Sequence, residues 1–151
     1  MSATARDARS LRHGRHWARR LALQALYQWD LAHSSPAELL GQFTEDENWP
    51  RVDAGYFQEL VRGVIAQAAE LDAQLVPCLD RPMEEVDPVE RAVLRIAAYE
   101  LRHRLDVPFR VVIEEAVNLA KKFGAEGGYR FVNGVLDRLA RRLRPFETSG
   151  R

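Results

Sequence analysis

The sequence predicts an all-α fold of six to seven helices in two small antiparallel bundles. Apolar residues recur at intervals of three and four, and strand-like alternation is absent. Helix-start signals stand at Ser35, Asp53 and Asp87, and prolines punctuate the segments between them. The connections are short, which favours antiparallel neighbours. With 151 residues, 46% of them hydrophobic and 29% charged, the chain has the size and balance of one globular domain rather than a disordered segment.

The first helix is expected from about Gly14–His16 to His33, with Trp17, Ala18, Leu21, Ala22, Ala25 and Leu26 as its apolar stripe. Ser35-Pro36-Ala37-Glu38 reads as a capping box and opens a short helix carrying Leu39, Leu40 and Phe43. Asp53 caps a longer helix, whose apolar positions from Phe57 to Leu75 hold helical spacing until Pro77. The segment from Pro77 to Val86 has room for one short helix and marks the boundary between two halves. Asp87-Pro88-Val89-Glu90 repeats the cap signal ahead of Val93, Ile96, Ala97 and Leu101. Asp106-Val107-Pro108 separates that helix from the next, which runs to Phe123 before Gly124. A last helix starts near Tyr129 and stops at Pro145. The expected organisation is a flexible basic arm over 1–11, one helical domain over 12–144 with bundles at about 12–77 and 78–144, and a disordered tail over 145–151.

Little points to an enzyme. Cys78 is the single cysteine, so neither an intramolecular disulfide nor a Cys-rich zinc site can form. The four histidines are scattered, and no metal-binding set or cofactor motif is seen. His33 and His103 read as surface residues near helix ends, and Cys78 as a buried or inert thiol. The glycines from Gly124 to Gly128 lack the Gly-Lys-Ser/Thr of a phosphate-binding loop. No segment approaches the roughly 18 apolar residues of a membrane span, and no apolar core follows the basic start, so a cytoplasmic setting is expected.

Charge is more informative. The net charge is zero, yet residues 1–20 hold six arginines against one acid, a local +5. A basic segment on a mildly acidic body suits nucleic acid, although a solvated tail has the same composition. On a helix, Arg12, Arg15 or His16, and Arg19 share a face, and Arg20, Gln24 and Tyr27 continue on the neighbouring one. Arginine forks would grip phosphates while Tyr27 offers a ring to a base. A second cluster comprises Lys121, Lys122, Tyr129, Arg130, Phe131 and Asn133, beside a glycine-rich turn whose helix N-terminus favours anions.

Residues 91–139 closely resemble the NusB family of bacterial transcription antitermination factors. The most specific pieces are Ile96-Ala97-Ala98-Tyr99-Glu100-Leu101, Asp106-Val107-Pro108, and Lys122-Phe123-Gly124 followed by Phe131-Val132-Asn133-Gly134-Val135-Leu136-Asp137. Arg19-Arg20 through Ala25-Leu26-Tyr27-Gln28 is similar to the family's first helix, so the resemblance spans roughly 12–144. It implies two helical bundles that bind single-stranded boxA RNA with the ribosomal protein NusE and help RNA polymerase read through terminators. Carried over by position, Arg12, Arg15, His16, Arg19 and Arg20 would hold the RNA backbone. Tyr27, Lys122, Tyr129, Arg130, Phe131 and Asn133 would complete the RNA surface, and Glu84, Glu85 and Glu90 would face the basic partner protein. The arm departs from the family pattern in being broken by Asp7, Leu11 and Gly14, and Gly127-Gly128 replaces a more polar pair. NusB-like domains also precede some RNA methyltransferases, so an RNA-recognition module of such an enzyme is the alternative. A helical scaffold with a merely solubilising arm is the third reading. The sequence is compatible with a monomer or a homodimer.

Overall fold

The computed structural model describes residues 3–150, with side chains from Asp7 onward. Among the described residues there are eight α-helices, three 3₁₀ turns and no strand, one helix more than the sequence suggests. No described helix is long and apolar enough to cross a membrane. The chain divides into two compact units, residues 1–65 and 66–151, a boundary earlier than the expected one at residue 77.

The amino-terminal unit holds α1 (Ala3–Ala32), α2 (Pro36–Phe43), a 3₁₀ turn at Trp49–Arg51 and most of α3 (Ala54–Ala66). Helix α1 starts at Ala3 instead of near residue 14. Its first turns are rich in alanine and arginine, good helix formers, and Asp7, Ser10, Leu11 and Gly14 lie along the 50–53 segment. Of the arm expected over 1–11, Met1, Ser2 and the side chains as far as Arg6 lie outside the described residues. The Gly14 carbonyl accepts the Asp53 N–H at 3.1 Å, tying α1 to the start of α3. Asp53 caps that helix as expected, with Oδ1 accepting the Tyr56 N–H at 3.0 Å. Ser35 likewise accepts the Glu38 N–H at 3.2 Å. Leu21, Leu26, Leu39, Phe57 and Leu60 are fully buried, each worth about 1.5–3 kcal/mol. Phe43 and Trp49 flank Phe57 with ring centroids at 5.9 and 5.5 Å.

The carboxy-terminal unit contains α4 (Ala68–Leu75), 3₁₀ turns at Val76–Cys78 and Met83–Glu85, α5 (Pro88–His103), α6 (Phe109–Phe123), α7 (Gly128–Leu143) and α8 (Pro145–Thr148). The long helix expected after Asp53 is broken at Gln67, which leaves helical geometry at φ −113°, ψ 17°. Apolar residues stay buried on both sides of the break, so their spacing conceals it. Helices α5, α6 and α7 pack on one another, α4 lies on α5, and α8 on α7. Arg95 joins α5 to α4 through a two-pronged contact with Asp72 at 2.9 and 2.8 Å. Cys78 is buried as expected, and His33 and His103 sit exposed at helix ends.

The disordered tail expected from residue 145 is corrected by α8; Arg151 lies outside the described residues. Arg144, 4% exposed, donates to the carbonyls of Glu100 (3.0 Å), Leu101 (2.9 Å), Arg104 (2.9 Å) and Val107. A helix leaves its last carbonyls unpaired; at the end of α5 the guanidinium supplies the donor for Leu101 and a second donor for Glu100 and Arg104, which also accept the N–H groups of Arg104 and Val107. Glu147 pairs with Arg144 at 3.0 Å, and its other oxygen accepts the Phe109 N–H at 2.8 Å, capping α6. Two side chains from the end of the chain thereby seal the α5–α6 corner.

Candidate nucleic-acid interface

In the amino-terminal unit the basic residues of α1 are organised by aromatic rings. Arg15 lies over the Tyr56 ring at 4.6 Å, and Arg19 beside the same ring at 5.5 Å. Arg20 and Arg51 approach the Trp17 ring at 4.3 and 5.1 Å. His13 and His16 meet Trp17 edge-on, with centroids 6.4 and 6.1 Å away. Trp17 and Tyr56 are themselves buried, so they form a fixed floor for the cations. Arg12 is exposed, while Arg15, His16 and Arg20 are half-buried.

Arg19 is 3% exposed, which corrects its assignment to phosphate contact. Its place beside Tyr56 makes it part of the support for the face, and a closed guanidinium cannot reach a backbone in solution. The helical pattern could not reveal this, because an arginine on an apolar margin has the same spacing as one at the rim. Arg51 was missed altogether. It lies outside α1, on the 3₁₀ turn, and only tertiary packing brings it to Trp17.

Tyr27 is 38% exposed, two turns or about 10 Å along α1 from Arg20. It borders an open groove with Gln24, Gln28, Leu31 and Phe43. Beside it, Gln28 and Gln42 form a reciprocal amide pair at 2.9 and 3.0 Å.

In the carboxy-terminal unit the predicted cluster separates. The Tyr129 ring is half-buried between Lys121, at 4.9 Å, and Arg130, at 5.2 Å. Asn133 is exposed and borders a groove with Lys121 and Asn118. Phe131 belongs elsewhere. Two residues apart on a helix point to opposite sides, and the Phe131 ring is covered by the Arg81 guanidinium at 4.2 Å. Arg81 is in turn held by Asp80 at 2.8 Å. Lys122 is exposed, with its Nζ 6.0 Å from the Phe123 ring.

Of the three acidic residues expected to face a protein partner, Glu84 and Glu85 are exposed on the 83–85 turn. Glu90 is corrected: it is 4% exposed, and its Oε2 accepts the Ala125 N–H at 3.3 Å. Asp87 caps α5 without it, accepting from the N–H groups of Val89 (2.9 Å) and Glu90 (3.4 Å). The Glu90 carboxylate lies against the glycine turn that starts α7. A Cβ on Gly128 would come within 2.1 Å of Glu90 Oε2, so any side chain there must displace the carboxylate. Gly127 has φ +78°, the left-handed region that favours glycine. The Gly127-Gly128 pair thus answers to the backbone of this turn. Burial holds the Glu90 carboxyl above its ordinary range, and the bond from Ala125 offsets part of that. The negative charge that a helix N-terminus favours is supplied here by the protein itself.

The NusB family's sequence model matches residues 16–141. A transcription antitermination protein NusB of Pseudomonas entomophila is 56% identical over 133 residues, 88% of this chain and 80% of that relative. One from Alcanivorax borkumensis is 52% identical over 137 residues, 91% of each chain. Among solved structures, T. maritima NusB has a TM-score of 0.77 at 28% identity, covering 89% of this chain and 96% of that one. A crystal structure of the antitermination factors NusB and NusE in complex with dsRNA gives a TM-score of 0.72 at 30% identity, covering 87% and 98%. Sequence and fold agree along most of the chain, and the chain belongs to the NusB family.

Proposed function

We propose that this chain is an RNA-binding transcription antitermination factor that binds boxA of nascent ribosomal RNA together with NusE and promotes read-through by RNA polymerase. The observation that carries the reading is the ring-supported arginine face of α1 in a member of this family. Relatives more than half identical bear the antitermination name, and a structural neighbour has been crystallised with NusE and RNA. The role is binding, in the cytoplasm where RNA is made, and no reaction is assigned.

Within this reading Arg12, Arg15, His16, Arg20 and Arg51 meet the phosphates. Tyr27 and Tyr129 offer rings to bases, with Arg130, Asn133, Lys121 and Lys122 beside the carboxy-terminal site. Glu84 and Glu85 face the basic partner. The test is fluorescence anisotropy of a labelled single-stranded boxA RNA, at two salt concentrations, with and without NusE. Binding that prefers boxA to a scrambled strand and tightens with NusE is expected. Binding indifferent to sequence and to NusE sinks the proposal.

A further inference from the structure

Glu90 is a buried acid that the phosphate-gripping face does not use, and its surroundings give it a specific task. Its carboxylate bonds the backbone of the turn between α6 and α7 at Ala125. It also lies against Gly128, the first residue of α7, so closely that a side chain there would have to push it away. Tyr129 is the next residue, and Lys121 on the last turn of α6 stands over its ring. The turn wrapped around Glu90 therefore sets the distance and angle between the two halves of the Tyr129–Lys121 pair.

We infer that Glu90 is a positioning residue for RNA base recognition, acting as an internal hydrogen-bond acceptor around which the glycine turn holds Tyr129 against Lys121. The inference rests on the RNA-binding reading above and refines one part of it. Two consequences follow. The N-terminus of α7 takes no RNA phosphate, because a carboxylate already lies against it. The contribution of this end of the molecule to binding is then one of base discrimination, with little share in salt-dependent affinity.

Three variants test the contact in different ways. Glu90→Gln keeps an oxygen for the Ala125 N–H. Glu90→Asp draws the oxygens back by one methylene. Gly128→Ala drives the carboxylate out, since the new Cβ would lie 2.1 Å from Oε2. The readout is the ratio of Kd values for boxA and a scrambled strand of equal composition, at several salt concentrations. Circular dichroism melts restrict the comparison to folded protein.

Glu90→Gln is expected to keep the wild-type ratio. Glu90→Asp and Gly128→Ala are each expected to lower it about fivefold, the scale of one impaired stacking contact, with the salt slope unchanged. The Glu90→Asp/Gly128→Ala double variant should lose no more than Glu90→Asp alone, because both changes remove one contact. A wild-type ratio for Glu90→Asp, or losses that multiply in the double variant, overturns the inference and leaves the RNA-binding reading standing. Failure of the wild-type protein to discriminate at all overturns both. The Gln and Asp variants change little volume, so a folding defect in Gly128→Ala alone still leaves a decisive pair.

Discussion

The two candidate RNA surfaces use the same residue types in reversed order. In the amino-terminal unit the rings of Trp17 and Tyr56 are buried and the cations of Arg15, Arg20 and Arg51 lie over them. In the carboxy-terminal unit the Tyr129 ring is half-exposed, and Lys121 and Arg130 flank it. A cation on a fixed ring has lost part of its conformational freedom before any ligand arrives, so binding phosphate orders it at a smaller entropic cost. A half-exposed ring between exposed cations remains available to a base. The first arrangement favours affinity and the second favours discrimination.

The largest expected effect tests whether the carboxy-terminal surface depends on the frame behind it. Arg144→Met strands the carbonyls of Leu101 and Val107 and should destabilise that unit by about 1–3 kcal/mol for each, as urea unfolding will report. Discrimination should fall with it, while a salt-dependent affinity from α1 persists. Next, replacing Arg12, Arg15 and Arg20 together by Ala should flatten the log–log salt slope by about 2, at roughly 0.7 per phosphate contact. All RNAs should weaken alike; selective weakening of boxA would invert the comparison. Tyr129→Ala should lower discrimination by about 1–2 kcal/mol with the slope intact.

The smallest effect is in pH. The Glu90 carboxyl titrates above the ordinary carboxylate range in the folded chain, so the folded state holds its proton longer. Stability from this group is present below the unfolded value, near 4.5, and is lost as pH rises through the folded one. Arg81 opposes the shift and Asp87 adds to it, while Glu85 and Glu126 border the same recess. Glu90→Gln should remove this part of the pH dependence, seen as melting temperatures that no longer fall over that interval.

The fold is legible in its sequence at some residues and not at others. Ser35, Asp53 and Asp87 were legible as caps because a cap is a local bond, within three residues of its partner. The break at Gln67 was not, since apolar spacing runs through it. Helix α8 was invisible because its anchor, Arg144, is a polar residue buried by partners some 40 positions away. The site divides in the same manner. Arg12, Arg15, Arg20, Tyr27 and Tyr129 lie where helical geometry puts them. Arg19, Phe131 and Glu90 face inward or meet a distant neighbour, which spacing on one helix cannot disclose. Arg51 joins the face only through the fold.

The bond from Phe109 N–H to Glu147 gives this corner a kinetic signature. Amides in the first turn of a helix ordinarily exchange with solvent by fraying, at small local cost. This one is held by a carboxylate 38 residues further along the chain, on a helix that Arg144 fixes in place. Its deuterium uptake should therefore follow release of α8 and not fraying of α6. A single amide at the start of one helix becomes a clock for the undocking of another.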